Sequence, residues 1–541
     1  MGKEKWALIS VFNKLGIVGF VNRLVKLGWN ILASGGTAKI LKDAGIEVKD
    51  VADLVGGGAI LGHRVVTLSR EVHAGLLADR HNAEHMTEME KLGLPVIDLV
   101  CCDFYPLGDA VAKPDATIES VVELTDIGGP TMVRSAAKGG RIVICRFEDR
   151  EPVLQELEKT GDVSPERRQE LRARAEFEIA KYCAVSALYH GGDKFCATFG
   201  ERFVKIPKGE NGPQSPAFFY STGTNGPLAI ERFKVVEGQP LSYNNYTDLI
   251  RLLQTLTHIG AVFVKNNWSV PYIAIGVKHG NPCGAAIDFS KPEAAVRKMV
   301  TGDRLAIFGG VVIFNFEITE DLARIMVTEG MGPEEVQKFD CIVAPEFGPG
   351  VAPLLERKKG KCRLVVNLAL RQADALDVSP IVRPGRGGFL VQPNYTYVLD
   401  LRDPEMRVEN PSILKGVERD LLLAWAICAT SNSNTITIVR DGMLLGNGVG
   451  QQARVWAAKL AVMRAKDAGH EDKLGAAVAC SDSFFPDNDA VAILIGAGIS
   501  TILTTSGSIN DENVVRLCKE RDDIHLYMLP DRKARGFAFH G

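Results

Sequence analysis

The sequence predicts an α/β protein built on a parallel sheet with helices on both faces. Two patterns carry that prediction: short apolar runs alternate with amphipathic helical stretches, and glycine-rich turns follow several of the runs. Ala7-Leu8-Ile9-Ser10-Val11 reads as a buried strand, followed by Ile17, Phe20, Val21, Leu24 and Val25 at helical spacing. Asn30-Ile31-Leu32-Ala33 is a second strand. It ends in Ser34-Gly35-Gly36-Thr37 and passes into a helical stretch from Ala38 to Ala44. Val96 to Cys102 and Arg141 to Cys145 supply two more strands.

The pattern weakens after Tyr189-His190-Gly191-Gly192, and Lys205 to Pro216 is rich in proline, glycine and polar residues. A domain boundary is placed in this region, giving residues 1–195 and 196–541. Further strands follow at Ile273 to Val277, Thr435 to Val439 and Ala476 to Cys480. From about Thr430 onward the chain reads as another α/β unit, with no exact short-period repeat. A length of 541 residues fits about three domains or subdomains.

Composition narrows the function classes. Hydrophobic residues at 46% and charged residues at 24% are ordinary for a globular chain with large cores. A net charge of −3 gives no basic excess for a nucleic-acid partner. The 11 cysteines are scattered without a CxxC pair, which points to a reducing cytoplasm rather than a disulfide framework. Met1 to Trp6 lacks the apolar core of a signal peptide, and no uncharged apolar run is long enough to span a bilayer.

In the N-terminal part, Ser34-Gly35-Gly36-Thr37 lies where a strand becomes a helix. Free N–H groups and the helix dipole attract phosphate there; the plain alternative is a tight turn with Ser34 or Thr37 as N-cap. Arg64 and Thr67 follow the loop Gly56-Gly57-Gly58. Asp126-Ile127-Gly128-Gly129-Pro130-Thr131 leads into a helix carrying Arg134 and Lys138. Each of these cations, taken alone, also reads as a surface residue.

Together the segments SVxxK, ASGGTAK, GxRVxTL, HAGLLA, YP and DIGGPTMxRxAAK resemble the N-terminal domain of a bifunctional purine-biosynthesis family. That family joins aminoimidazole carboxamide ribonucleotide (AICAR) formyltransferase to inosine monophosphate (IMP) cyclohydrolase. The resemblance runs through roughly the first 190 residues. It implies a methylglyoxal-synthase-like fold and a nucleotide site for the formylated intermediate (FAICAR) or IMP. The site would be built from Lys14, Ser34, Gly35, Gly36, Thr37, Arg64, Thr67, Tyr105, Asp126, Gly128 and Lys138.

Three departures bear on it. The family's GRVKTLHP loop is Gly62-His63-Arg64-Val65-Val66-Thr67-Leu68-Ser69-Arg70, so its catalytic lysine is Val66. The family's SVSDK is Ser10-Val11-Phe12-Asn13-Lys14, and its NLYPF is Asp103-Phe104-Tyr105-Pro106-Leu107. A valine neither donates a proton nor stabilises an oxyanion, and losing one such group costs about 10²–10³ in rate. The expectation is a domain that binds a purine ribonucleotide but cyclises poorly, with Lys14 or Lys138 as the residues able to compensate.

In the C-terminal part, Lys278-His279-Gly280-Asn281-Pro282-Cys283-Gly284 follows a buried strand and is read as a turn. Adjacent lysine and histidine place a cation and a proton acceptor at a sheet edge, where ligands of α/β folds bind. The plain alternative is a surface lysine beside a turn histidine. A zinc deaminase would need PCxxC, and Cys283 is followed by Gly284-Ala285-Ala286, so zinc is rejected.

KHxNPCG, with Leu241 to Tyr246, Phe308-Gly309-Gly310, Gly387 to Gln392, Ser433-Asn434, Gly448 to Arg454, Ser481 to Pro486 and Ser506 to Ile509, resembles the family's formyltransferase region from about residue 200 onward. The resemblance implies a metal-free, cytidine-deaminase-like fold in two related halves, divided near 385–430. It implies 10-formyltetrahydrofolate as co-substrate, His279 as base, Lys278 as oxyanion partner and Asn434 as a positioning group. Asn245, Lys208, Gly310, Arg454, Arg535 and Phe537 fall to the nucleotide, and Phe484 and Asp489 to the folate side.

The family's RYGENPHQ is Pro207 to Gln214 here, which removes its arginine–tyrosine pair and its histidine. A lysine does not reproduce a bidentate guanidinium, so altered nucleotide affinity is expected. A structural potassium ion near Ser431 to Asn434 and a homodimer are implied by the same resemblance. The alternatives are a fully bifunctional enzyme and a catalytically inactive nucleotide-binding scaffold or sensor. The adjacent Lys278-His279 pair argues against the scaffold.

Overall fold

A computed structural model of the chain describes residues 4–61, 65–224, 226–410 and 416–538; Arg64 lies outside the described residues. The chain divides into two compact units, Met1–Phe199 and Gly200–Gly541.

The first unit is organised by five strands: β1 (Lys5–Ser10), β2 (Trp29–Ala33), β3 (Lys49–Asp50), β4 (Ile97–Cys102) and β5 (Ile142–Ile144). They form one sheet in the order β3-β2-β1-β4-β5 with every pairing parallel, as the alternating pattern predicts. Successive β1 residues enter opposite cores. Ala7 and Ile9 pack with Ile17, Phe20 and Leu24 from the helix Ile17–Lys26, while Leu8 packs with Met132, Val133 and Ala136 from the helix Gly128–Lys138. Both faces are covered, which is why these strands read as continuous apolar runs. The chain runs outward from β1 through β2 to β3 and returns on the other side of β1 as β4. The crevice between the carboxyl ends of β1 and β4 is therefore the topological switch point.

The second unit opens with a hairpin, β6 (Glu201–Ile206) and β7 (Ala217–Ser221). The proline- and glycine-rich segment read as boundary material is largely its turn, since residues that break a strand also build a tight reversal. The main sheet has twelve strands. One half comprises β8 (Lys234–Glu237), β9 (Tyr272–Lys278), β10 (Asn281–Asp288), β11 (Val311–Phe314), β12 (Cys341–Ala344) and β13 (Arg363–Val366). A second hairpin, β14 (Ile381–Gly385) with β15 (Gly388–Gln392), follows. The other half comprises β16 (Arg407–Glu409), β17 (Ile436–Arg440), β18 (Met443–Gly448), β19 (Val478–Ser481), β20 (Thr501–Ser506) and β21 (His525–Pro530).

The halves share one plan. Each has an antiparallel edge strand, a buried helix, a tight hairpin, a strand antiparallel to that hairpin, and two further parallel strands. They join where β10 lies antiparallel to β18. The buried helices Tyr243–Lys265 and Val417–Ala429 share a single core, and the second is apolar on nearly every face, as a fully enclosed helix must be. Among the described residues no helix is long and apolar enough to cross a membrane.

Candidate active sites

At the carboxyl edge of the first unit's sheet, the chain leaving β1 meets the chain leaving β4. Asp103 accepts hydrogen bonds from the N–H groups of Asn13, at 3.1 Å, and Phe12. Lys14 Nζ donates to Thr37 Oγ1 at 3.1 Å and to the Val11 carbonyl, and burial holds its ammonium below the usual range, with Asp103 acting in the opposite direction. Tyr105 sets its ring edge-on to Phe12, with centroids 5.6 Å apart.

Asp126 accepts from the Gly129 N–H at 2.8 Å, and burial raises its carboxyl above the ordinary range. A side chain at Gly128 would meet Thr67 Oγ1 at 2.9 Å, so glycine is required for Thr67 to lie beneath it. Tyr182, which sequence reasoning missed, accepts from the Asp126 N–H at 2.7 Å. It stands on the long helix Pro165–Gly191, with no motif around it.

Ser34 is the N-cap of the helix Gly35–Asp43 but makes no side-chain cap, and there is open space above Gly35 and Gly36. The first-turn N–H groups thus form an anion cradle. The Thr37 hydroxyl is turned inward, to Val11 and Lys14. Val66 packs against the apolar cluster around Leu8.

Lys138 does not join this group. It ends the 11-residue helix that Gly128 begins, about 15 Å away along the axis, and lines a separate cavity of about 690 Å³ with Arg80, Asp98 and Arg141. Arg134 is on the surface, 3.9 Å from Glu176.

In the second unit, Lys278 is the last residue of β9 and donates from Nζ to the Phe308 carbonyl at 2.8 Å. His279 and Gly280 are the two residues of a tight hairpin turn, with φ of +52° and +74°, between the paired Lys278 and Asn281. Such a turn needs φ above zero at both positions, which costs a non-glycine residue roughly 1–2 kcal/mol. This corrects the sequence reading: Asn281-Pro282-Cys283-Gly284 is the start of β10, not a turn, and Pro282 is accommodated at a shift in register.

The Gly280 peptide is gripped on both sides. Asp248 Oδ1 accepts from its N–H at 2.8 Å, and Arg251 Nε donates to its carbonyl at 3.0 Å. Burial pushes the Asp248 carboxyl up to about 6, with the Gly280 N–H and the charge of His279 acting in the opposite direction. Arg251 also donates to the Thr430 carbonyl at 2.6 Å, linking the turn to the second half.

Asn281 Oδ1 accepts from the Asn432 N–H at 3.1 Å, and Asn447 Nδ2 donates to the Pro282 carbonyl at 3.0 Å. Asn434 Nδ2 donates to the Gln451 carbonyl at 2.7 Å, and Asn434 Oδ1 accepts from Arg454 at 2.8 Å. The C-terminal tail runs along the same place. The Gly536 N–H donates to the Asp482 carbonyl at 3.2 Å and the Ala538 N–H to the Ser431 carbonyl at 2.9 Å. On that tail the Arg535 guanidinium lies 5.6 Å from the Phe537 ring centre.

Two of the expected nucleotide residues are bonded within the chain. Arg454, 7% exposed, is ion-paired with Asp482 and bonded to Ser481 and Asn434. Asn245 is buried, and its carboxamide oxygen caps the helix Tyr243–Lys265 through Ser242. Both arrangements have one reason: a polar side chain at a helix start satisfies the nearest open backbone or charge.

Lys208 is exposed in the β6–β7 turn. Gly310 precedes β11, packed so closely that a side chain would meet the Val277 carbonyl at 2.7 Å. Phe484 is half-buried, and Asp489 is exposed at the start of the helix Asp489–Gly496. Asp248 and Arg251 were missed, although with Asn245 they recur every three residues on one helical face.

An anion cradle at a switch point, in one chain with a duplicated sheet bearing a lysine–histidine hairpin, defines a two-domain α/β enzyme of small-molecule chemistry. The AICARFT/IMPCHase bienzyme description matches residues 136–464, and the MGS-like domain description matches residues 16–131. A bifunctional purine biosynthesis protein PurH from Anoxybacillus flavithermus is 35% identical over 96% of this chain and 97% of its own. One from Bacillus cereus is 33% identical over 95% and 96%. A crystal structure titled ForH, 34% identical, covers 36% of this chain and all of its own, with a TM-score of 0.32. The chain belongs to the AICARFT/IMPCHase bienzyme family.

The Arg454–Asp482 pair sits where no water screens it, so Arg454→Met is expected to destabilise the second unit by about 3–5 kcal/mol, because it leaves a buried carboxylate unpaired. Urea unfolding followed by circular dichroism measures this.

Proposed function

We propose that the second unit transfers the formyl group of 10-formyltetrahydrofolate to the 5-amino group of AICAR. The observation that carries this reading is the placement of His279, exposed at the tip of a braced turn next to Lys278. As the AICAR nitrogen attacks the formyl carbon, the His279 imidazole takes the amine proton and the Lys278 ammonium stands beside the developing oxyanion. Collapse of the tetrahedral intermediate breaks the bond to the folate nitrogen, which receives the proton. Asn434, held by Gln451 and Arg454, anchors the opposite wall. Asn245, Lys208, Gly310, Arg454, Arg535 and Phe537 are the candidates for the nucleotide, with Phe484 and Asp489 for the folate.

A potassium ion fits beside Ser431 to Asn434. The buried Asp482 Oδ2 has no hydrogen-bond partner among the described residues, and the Asp482 N–H is bonded to the Thr435 carbonyl at 3.3 Å. Such an ion would hold the turn without entering the reaction. We place the enzyme in the cytoplasm, in keeping with 11 free thiols.

The first unit binds FAICAR or IMP at the Ser34–Thr37 cradle and the Lys14, Tyr105 and Asp126 cluster, with slow ring closure. Val66 is packed into an apolar cluster where the family has its lysine, and Lys138 is a helix-length away.

Three experiments test these readings. Mixing the protein with AICAR and 10-formyltetrahydrofolate should release tetrahydrofolate, and His279→Ala should lower kcat by about 10²–10⁴; transfer that survives in His279→Ala with Lys278→Ala defeats the assignment. Val66→Lys should raise IMP formation from FAICAR by about 10²-fold, read by absorbance, whereas fast turnover by the unaltered chain means that the valine is compensated. Sedimentation should show a homodimer, in which the exposed Phe389, Leu390 and Val391 of β14–β15 find cover; a monomer at working concentration counts against it.

A further inference from the structure

The two halves of the second unit build the same kind of two-residue turn, and the residue before the glycine is histidine in the first and aspartate in the second. In the second half the turn is Asp441-Gly442, with φ of +51° and +70°, matching His279-Gly280. Asp420, on the buried helix before that hairpin, closes the turn with both carboxylate oxygens: Oδ1 accepts from the Gly442 N–H and Oδ2 from the Asp441 N–H, each at 2.7 Å. Asp248 is its counterpart on the helix Tyr243–Lys265. Among the described residues, Asp248 makes a single hydrogen bond, from the Gly280 N–H to Oδ1. Where the second half uses two oxygens to hold a turn without an imidazole, the first half uses one oxygen and holds a turn that carries one.

The missing bond is not made up by slack in the turn. Arg251 holds the Gly280 carbonyl from the other side, so the peptide that follows His279 is already fixed. The second Asp248 oxygen is therefore not required by the backbone. The groups that act on the carboxylate are the Gly280 N–H and His279 from the turn and Asp340 from the segment before β12. Arg251, three residues further along the same helix, is bonded to the Gly280 carbonyl, and Lys278 ends β9 with its ammonium on the Phe308 carbonyl.

We propose that Asp248 is a positioning residue for formyl transfer: one oxygen fixes the turn that carries His279 through the Gly280 N–H, and the carboxylate charge supports the imidazole when it takes up the amine proton. This rests on the Lys278–His279 reading above. Asp248 itself touches neither substrate.

Asp248→Asn separates bracing from charge, because the amide oxygen still accepts from Gly280 while the charge is gone. The expected result is a loss of about 10- to 100-fold in kcat, part of what a general base contributes. KM for AICAR should stay within about twofold, and the acid limb of the pH–rate profile should be displaced. Asp420→Asn, the counterpart without an imidazole, should keep the original kcat, and circular dichroism reports whether either variant is folded.

A second readout needs no activity. Carbon-13 NMR should show the Asp248 carboxyl titrating near 6 in the unaltered chain and higher in His279→Ala, since removal of a neighbouring cation disfavours the charged carboxylate. A folded Asp248→Asn with full kcat overturns the proposal, as does an Asp248 titration indifferent to His279→Ala. If the unaltered chain transfers no formyl group, the functional reading fails by itself, and the NMR titration still decides whether the two side chains sense each other.

Discussion

The peptide of Gly280 is held from both sides, its N–H by Asp248 and its carbonyl by Arg251, and the geometry of the turn bearing His279 depends on that grip. A histidine in the left-handed region is uphill by itself and persists only where its surroundings over-determine it. The same Arg251 reaches across to the Thr430 carbonyl, so the strained turn and the loop bearing Asn434 are parts of one polar lattice. That lattice lies at the seam of β10 and β18, where two copies of one plan meet.

Duplication explains why the site forms there. Pairing β10 with β18 in antiparallel fashion brings the turn of the first hairpin beside the open end of the second. Asn447 on β18 then bonds to Pro282 on β10, and Asn432 bonds to Asn281. The corresponding turn at Asp441-Gly442 lies at the far end of the seam, closed by Asp420 with both oxygens. One half closes its turn with a single carboxylate, and the other with a carboxylate and a guanidinium on opposite sides of one peptide.

The first unit follows a different logic. Its sheet is parallel, so all strand ends that carry loops toward ligand face one way, and the crevice between β1 and β4 collects Lys14, Asp103, Tyr105 and Asp126. The open first turn at Gly35 and Gly36 supplies N–H groups without a competing side-chain cap. Val66 leaves this frame undisturbed, because a valine at the edge of an apolar cluster adds to the packing around Leu8.

Local signals were legible in the sequence. Apolar runs buried on both faces revealed the parallel strands, glycines marked the open helix start after β2, and Lys278 next to His279 marked a strand end. Those features depend on residues a few positions apart, where periodicity and backbone sterics act. What only the tertiary structure decided were partnerships across the chain. A helix of 11 residues sets Lys138 at the opposite end from Gly128, Ser242 bonds to Asn245, and Asp482 pairs with Arg454. Asp248 meets Gly280 only because a buried helix packs under the β9–β10 turn. The order of strands in a sheet sets which distant residues touch, and hydrogen-bond satisfaction in a dry interior then decides which polar groups remain for a ligand.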